Sequence, residues 1–144
     1  MYATKAERDC YPAISRCYRQ WGEKAKCGKL DHVYTLSDDE SAWVGAARIL
    51  PLADNAFLLR NLTIAPSLRG RGYARQLMQS ILQDPQIQPL YCYALDYLRE
   101  FYLGLGFCEM LPSEVPKVVA DPYCRYRANG KSFILLGVGA ACCD

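Results

Sequence analysis

The sequence lacks a long apolar segment, an excess of one charge and a secretion signal. Apolar residues nowhere form a run of the length that a membrane helix needs, and the first ten residues, MYATKAERDC, do not show the basic and then apolar pattern of a signal peptide. The formal net charge of +2 provides no general surface for polyanions. We therefore expect a cytoplasmic protein that spans no membrane and binds no nucleic acid.

The cysteines, although there are eight of them, show no metal-binding or redox pattern. No CxxC pair occurs. One possible group of zinc ligands has spacings that match no common zinc site; it consists of Cys10, Cys17, Cys27 and His32. Several cysteines lie inside apparent helices or strands and are expected to pack as small hydrophobic residues: Cys17, Cys92 and Cys108. We predict no bound metal and mostly free thiols, as is usual in a reducing compartment.

What the sequence does contain is a change of hydrophobic pattern between Leu58 and Leu82. The first part is a short apolar run that ends at Ile64, before Ala65-Pro66, and it has the length of a strand. Farther on, the apolar residues recur with helical spacing: Ala74, Leu77, Met78, Ile81 and Leu82. This region therefore predicts a strand, a tight loop and a helix.

The loop between that strand and that helix has the features of an anion-binding turn. Gly70 and Gly72 allow backbone conformations that other residues avoid, and a helix that begins here presents free N–H groups and the positive end of its dipole. Arg69 and Arg71 add positive charge that suits phosphate. Two glycines and two solvated arginines also occur in ordinary loops, so this pattern alone does not decide the function.

Comparison with known phosphate-binding motifs excludes two kinds of nucleotide-binding loop. A dinucleotide-binding fingerprint requires a small residue where Arg75 stands, and no P-loop string GxxxxGK occurs. The pattern that does match is Arg-x-x-Gly-x-Gly/Ala, which is met by Arg69, Gly72 and Ala74. This pattern resembles the coenzyme A loop of the GNAT superfamily of acyltransferases.

A second signature of the same family occurs later in the chain. Many GNAT proteins carry a tyrosine four residues before a Gly-Phe pair, and here Tyr102 precedes Gly106-Phe107 at that distance. The resemblance covers nearly the whole chain and implies one α+β domain over residues 1–144. Its central sheet would be mixed and mostly antiparallel, splayed between the fourth and fifth strands and flanked by helices.

The hydrophobic patterns predict where these elements lie. Strands are expected at residues 2–4, 32–36, 42–50, 58–64, 90–95 and 132–138. A helix should follow Asp9, and a short helix should begin with Asp96 as its cap and end at Gly106. Three prolines between Met110 and Asn129 predict a loop there, with only a short helix around residues 115–120.

The resemblance also implies the site. Acyl-CoA would lie in the splay, with backbone hydrogen bonds from Leu62, Thr63 and Ile64 to its pantetheine arm. The glycine loop would hold the pyrophosphate: Arg69, Gly70, Arg71, Gly72, Tyr73, Ala74 and Arg75. Tyr102 would donate a proton or a hydrogen bond to the departing thiolate. The reaction would need no metal, because holding the amine and the thioester together already removes much of the barrier.

The residue that removes the proton of the amine is not evident from the sequence. Some GNAT members use a glutamate on the strand before the glycine loop, but Leu58, Arg60 and Asn61 occupy that stretch here. We interpret Asn61 as a catalytic residue that orders a water chain in place of the missing carboxylate. Other residues able to contribute are Tyr91, Tyr93, Asp96 and His32.

The resemblance predicts an acyl-CoA-dependent N-acyltransferase that transfers acetyl from acetyl-CoA to a primary amine. The amine would attack directly in a ternary complex, and the acceptor would be a small molecule or a peptide; a homodimer is possible. The alternative is a CoA-binding sensor or regulatory module with the same fold, which the missing glutamate favours. A third hypothesis, a cysteine-dependent hydrolase, depends only on the number of cysteines and on His32, and it has no motif to support it.

Overall fold

The computed structural model describes residues 1–139, which contain seven strands and four α-helices. The strands are β1 (Tyr2–Lys5), β2 (His32–Ser37), β3 (Trp43–Pro51), β4 (Phe57–Ile64), β5 (Leu90–Leu95), β6 (Cys108–Glu109) and β7 (Phe133–Val138). The helices are α1 (Tyr11–Gln20), α2 (Tyr73–Ile81), α3 (Arg99–Leu103) and α4 (Lys117–Ala128). Short 3-10 turns connect several of these elements.

The strands form one mixed sheet with the order β1-β2-β3-β4-β5-β7-β6. Neighbouring strands pair in antiparallel fashion from β1 to β3 and among β5, β7 and β6, whereas β4 and β5 are parallel. The parallel ladder joins Phe57 with Leu90 and Leu58 with Tyr91, although β4 continues to Ile64. The predicted fold class, a mostly antiparallel sheet splayed between its fourth and fifth strands, is confirmed.

The chain forms two compact units. The first contains Met1–Leu50 and Arg60–Asp84, and the second contains Pro51–Leu59 and the chain from Pro85 onward. The division falls inside β4, so that the end of this strand and the glycine loop belong to the first unit. The assignment of residues 1–144 to one domain stays a prediction.

The core of the first unit forms where α1 and α2 cover the sheet. Ile14 and Tyr18 of α1 are fully buried with Val33 of β2. Helix α2 buries three apolar residues that lie on one of its faces and packs on β1 and β2: Leu77, Met78 and Ile81. The sequence expectation of a helix after Asp9 and of another beginning near Ala74 is confirmed.

The predictions for the C-terminal part of the chain were less accurate. Residues 117–128 form a 12-residue helix with Pro122 inside it, not a loop with a short helix. Pro122 removes one intrahelical donor, but Val119 and Ala120, just before it, are buried, and their packing stabilises the helix against this loss. Strand β6 was not predicted, because two residues are too short to show a pattern.

The predicted cap of the helix before Gly106 is also wrong. Asp96 lies inside a 3-10 turn, Asp96–Leu98, whose N-cap is Leu95 without a capping side-chain hydrogen bond. The α-helical part is only Arg99–Leu103, and Gly106 has a positive φ of 99° in the turn that follows. The glycine therefore ends the helical segment through that turn, several residues after the last α-helical residue.

Two further expectations concern the state of the cysteines and the presence of a membrane-spanning helix. Five cysteines are free thiols, and their burial ranges from complete to slight: Cys10, Cys17, Cys27, Cys92 and Cys124. Cys108 is only partly buried and is disulfide-bonded, so its interpretation as a small buried thiol is wrong. Within residues 1–139, no helix has both the length and the apolar character required to cross a bilayer.

Gly45 of β3 lies against the end of β4 and provides a test of this packing. A Cβ atom there would be 2.6 Å from Ile64 Cδ1 and 3.2 Å from the Thr63 carbonyl oxygen. The Ile64 side chain can turn its terminal methyl group away, but the Thr63 carbonyl belongs to the backbone and cannot move as easily. Gly45→Ala should therefore lower the free energy of unfolding, measured in urea, by about 1–3 kcal/mol. Gly28→Ala is the control, since its Cβ would meet the Asp31 carboxylate at an ordinary 3.4 Å. Equal stability of the Gly45 variant would contradict the close approach.

Candidate functional site

The end of β4 is bent at Asn61. This residue has a positive φ of 56° inside the strand, a conformation that asparagine tolerates better than most residues. The Tyr18 hydroxyl of α1 donates a hydrogen bond of 2.7 Å to the Asn61 carbonyl oxygen, and Arg48 Nη1 of β3 donates one of 2.7 Å to Asn61 Oδ1. Both the backbone and the side chain of Asn61 are therefore fixed by neighbouring elements.

Asn61 belongs to a polar network that runs across this end of the sheet. Arg48 Nε donates to Asp31 Oδ2 at 2.9 Å, and Asn61 Nδ2 donates to Glu23 Oε1 at 3.1 Å. The Arg48 and Asp31 side chains are largely buried, so their opposite charges compensate each other where water is scarce. The network therefore connects a buried ion pair to Glu23, a carboxylate that is only partly buried.

Glu23 occupies a defined position because α1 ends just before it. Gly22 has a positive φ of 83° and donates its N–H to the Arg19 carbonyl oxygen, and the Glu23 N–H donates to the Tyr18 carbonyl oxygen at 2.9 Å. This is the hydrogen-bond pattern of a Schellman motif, for which glycine at this position is the usual sequence signal. Sequence reasoning missed Glu23, although Gly22 indicates how the chain leaves the helix.

The glycine loop follows β4 directly and leads into α2. Gly70 and Gly72 have φ values of 78° and 83°, and a Cβ atom at either position would point into open space. Gly72 is the N-cap of α2, and no side chain caps the helix there. The N–H groups of the first turn are thus not capped by the side chain of the N-cap residue, and the binding of an anion there stays a prediction.

The arginines of this loop differ in what they contact. Arg69 Nε donates to the Ile64 carbonyl oxygen at 2.9 Å, and Arg69 Nη2 approaches the Trp21 carbonyl oxygen at 3.5 Å. Arg69 thus ties the loop to β4 and to the end of α1 and is not directed only at a ligand. Arg71 and Arg75 are exposed at the surface of the loop and of the first turn of α2.

The structure brings most of the predicted site residues together in the first unit. Thr63 and Ile64 are buried, and Leu62 is partly buried, in the part of β4 between Asn61 and the glycine loop. The Ala65 N–H donates to the Val44 carbonyl oxygen at 2.8 Å, so β3 still supports the chain where β4 ends. Tyr73 and Ala74 are partly buried at the start of α2.

Tyr102 lies in the second unit, on α3. Its ring packs edge-on against Phe101 and Phe107, with ring centroids 5.0 Å and 5.2 Å away. Burial raises the pKa of Tyr102 above its ordinary value, and the nearby Cys92 raises it further. The phenol is therefore neutral at physiological pH and can act as a hydrogen-bond donor.

The other residues considered as proton acceptors differ in their surroundings. The Tyr93 hydroxyl donates to the Val119 carbonyl oxygen at 2.7 Å. Tyr91 is buried in β5, and Asp96 is exposed. Burial, and then the charge of Lys5, lowers the pKa of His32, so its imidazole is neutral at physiological pH. Among residues 1–139, no three potential metal ligands of the His, Cys, Asp or Glu type lie together.

Residues 29–109 match the family model of the acetyltransferase (GNAT) domain. Because this match covers more than half of the chain, the protein belongs to the GNAT acetyltransferase family. A comparison with curated protein sequences finds no match.

Solved structures with the same fold include three acetyltransferases. N-acetylglutamate synthase from Neisseria gonorrhoeae, complexed with coenzyme A and N-acetyl-glutamate, is 18% identical with a TM-score of 0.67, over 94% of this chain and 34% of that chain. An aminoglycoside 6'-N-acetyltransferase complexed with coenzyme A is 15% identical with a TM-score of 0.64, over 96% of both chains. The ribosomal-protein-S18-alanine N-acetyltransferase of Escherichia coli is 13% identical with a TM-score of 0.64, over 95% of this chain and 92% of that chain.

These likenesses concern the fold, because every identity is below 20%. The present chain spans about a third of the length of the synthase, of which it covers 34%. The three proteins are described as acting on an amino acid, an aminoglycoside and a ribosomal protein. The fold is therefore compatible with acceptors of very different size.

Proposed function

We propose that the protein is an acyl-CoA-dependent N-acyltransferase that transfers acetyl from acetyl-CoA to a primary amine. The observation that carries this proposal is the glycine loop, which follows β4 and opens into the uncapped N-terminus of α2. Such an arrangement accepts a pyrophosphate through backbone N–H groups and the helix dipole. Two of the related structures contain coenzyme A, which supports the same donor.

In this proposal the loop and the end of β4 share the work of donor binding. The N–H groups from Gly70 to Arg75 hold the pyrophosphate, and the side chains of Arg71 and Arg75 add positive charge. Arg69 keeps the loop in place through the Ile64 carbonyl oxygen. The backbone of Leu62–Ile64 binds the pantetheine arm, and one N–H there polarises the thioester oxygen as an oxyanion hole would.

The chemistry is a direct acyl transfer. The amine nitrogen attacks the thioester carbon, the C–N bond forms, and the C–S bond then breaks to release CoA as a thiolate. The amine must first lose the proton of its ammonium form, whose pKa is about 10. The nitrogen loses a second proton when it becomes the amide, and the thiolate takes up one proton, so one proton is released to solvent overall. No metal ion or covalent enzyme intermediate takes part in this proposal.

Glu23 is the carboxylate that receives the ammonium proton in this mechanism, either directly or through one water. The Oε1 atom of Glu23 accepts a hydrogen bond from Asn61 Nδ2. Asn61 directly precedes Leu62–Ile64, the residues proposed to bind the pantetheine arm. Arg48 and Asp31 hold the Asn61 amide in the orientation that makes this bond. Asn61 therefore acts as a positioning residue, and Glu23 replaces the strand glutamate that the sequence lacks.

Tyr102 donates a hydrogen bond, and then its proton, to the departing thiolate. This role comes from the family resemblance. Burial raises the pKa of Tyr102 and so keeps the phenol protonated, which supports the hydrogen bond to the thiolate but makes the phenol a weaker acid. A small-molecule amine or a peptide amine serves as the acceptor. The competing hypothesis is a CoA-binding module without turnover, and it is favoured by the absence of a carboxylate on β4 itself.

The donor site is tested by calorimetric titration with acetyl-CoA and by a thiol-release assay with a panel of amines. The wild type should bind CoA and release thiol, whereas Gly72→Glu should weaken CoA binding by about 100-fold or more, because it adds bulk and negative charge to the cradle. Gly130→Glu is a matched control, since Gly130 has a φ of 81° and open space around its Cβ position, like Gly72. Normal CoA affinity in a folded Gly72 variant would refute this donor site. Binding without thiol release over the whole panel would favour the module without turnover.

Glu23→Gln tests the proton acceptor. Glutamine keeps the size of the side chain and an oxygen that accepts from Asn61, so the variant removes the charge and preserves the network. We expect kcat/KM for the amine to fall by about 100-fold or more at neutral pH, with little change in CoA affinity. Glu40→Gln, in the exposed turn between β2 and β3, should behave like wild type. Unchanged turnover and an unchanged pH profile in the Glu23 variant would exclude this role.

Tyr102→Phe tests the proton donor, because phenylalanine keeps the edge-on packing and removes only the hydroxyl. We expect kcat to fall by about 100-fold, with CoA affinity changed much less. Since burial raises the pKa of Tyr102, the wild-type rate should not decline up to about pH 10 through loss of this proton. Tyr97→Phe, at an exposed position, is the control. A loss of affinity alone would make Tyr102 a binding residue.

A further inference from the structure

A second basic site lies in the first unit, outside the glycine loop. Residues of α1, of the turn before it and of the chain that follows it line a half-open cavity of about 490 Å³. All charged residues that line this cavity are cationic: Arg8, Arg16, Arg19, Lys26 and Lys29. None of the loop residues from Arg69 to Arg75 contributes to its lining.

The concentration of charge in this cavity is not a property of the chain as a whole. The sequence has 17 Lys and Arg against 15 Asp and Glu, so that without these five cations the formal charge would be negative. None of the ion pairs formed among residues 1–139 includes one of the five side chains, and all five are exposed. Their charges are therefore available to a ligand.

The spacing of the two arginines of α1 places both of their charges on one face of the helix. Pro12, Arg16 and Arg19 are separated by four and three residues, so they lie on the same face of the helix. Arg8 precedes this face in a 3-10 turn, Arg8–Cys10. A solvated helix face usually mixes both signs of charge and is convex. Here one sign of charge surrounds a concavity, which focuses the electrostatic potential.

The opposite wall of the cavity is held by hydrogen bonds even though it has no regular structure. The Cys27 N–H donates to Ser15 Oγ at 3.0 Å, and the Tyr11 hydroxyl donates to the Asp31 carbonyl oxygen at 2.6 Å. The Gly28 N–H donates to Asp31 Oδ2 at 2.7 Å. The chain that carries Lys26 and Lys29 is therefore fixed to α1 before any ligand arrives, which lowers the entropic cost of binding.

We propose that this cavity binds a small molecule with two or more phosphate groups, at a site separate from the glycine loop. Guanidinium groups suit phosphate because they donate two parallel hydrogen bonds to its oxygens, and lysine ammonium groups add point charges around them. A compact ligand fits a concavity of this volume better than a nucleic acid does, since a nucleic acid needs a basic surface that follows its backbone. The proposal does not depend on acyl transfer.

Inorganic pyrophosphate is the probe for this site. The wild-type protein is titrated calorimetrically with pyrophosphate in the presence of saturating CoA, which occupies the glycine loop. We expect binding to persist with a stoichiometry of one and to weaken as salt is added. The double variant Arg16→Glu with Arg19→Glu should bind pyrophosphate at least about tenfold more weakly, because two charge-assisted contacts become repulsive. CoA affinity of this variant should not change.

Two further variants make the result specific. Lys26→Gln with Lys29→Gln removes charge without reversing it and should also weaken pyrophosphate binding. Lys117→Glu with Arg125→Glu changes the net charge by the same amount as the α1 double variant, on exposed positions of α4 that do not line the cavity. This control should bind pyrophosphate like wild type. Thermal unfolding of each variant shows whether it is folded.

Three results would overturn the proposal. The first is a wild-type protein that no longer binds pyrophosphate once CoA is saturating. The second is a folded α1 double variant with wild-type affinity for pyrophosphate. The third is a wild-type protein that binds a single-stranded oligonucleotide tightly but does not bind pyrophosphate. Repeating the titration of the variants without CoA keeps the test valid even if the protein binds no CoA, so this proposal and the proposed function can fail separately.

Discussion

The bend of β4 at Asn61 is the constraint on which the site depends. A non-glycine residue with a positive φ inside a strand is strained by about 1 kcal/mol or more, and it persists only when its neighbours fix it. Tyr18 from α1 and Arg48 from β3 do so here, through the Asn61 carbonyl and the Asn61 side chain. The direction in which β4 enters the glycine loop is thus decided by contacts from two other elements.

The same contacts organise the chain after α1, which carries no regular structure of its own. Gly22 ends the helix, Glu23 then contacts Asn61, and Asp31 receives hydrogen bonds from Arg48 and from the Gly28 N–H. A segment with three lysines and no regular structure would ordinarily be mobile. Here it forms both the surroundings of Glu23 and one wall of the basic cavity.

Local sequence patterns predicted those parts of the structure that local physics determines. The glycines of the loop and the apolar period of α2 are properties of neighbouring residues, so the strand, loop and helix could be located without the fold. Pro122 shows the limit, because the burial of the residues before it outweighs the local preference of proline. Glu23 could not be assigned, since its partner Asn61 lies 38 residues away in the sequence, and no local pattern showed that Arg69 also approaches the Trp21 carbonyl oxygen, 48 residues away.

The position of Asn61 also has a consequence for thermodynamic linkage. Its side-chain amide contacts Glu23, where we place the incoming amine, and its backbone continues directly into the strand that we expect to bind the CoA arm. A ligand that shifts the Asn61 side chain also changes the backbone conformation of Asn61, and a ligand that shifts the backbone changes the side chain. The affinities for the amine and for acyl-CoA should therefore be coupled. Such coupling is reciprocal by necessity. Exchanging the segment after α1 to change acceptor preference would therefore also alter the affinity for the donor.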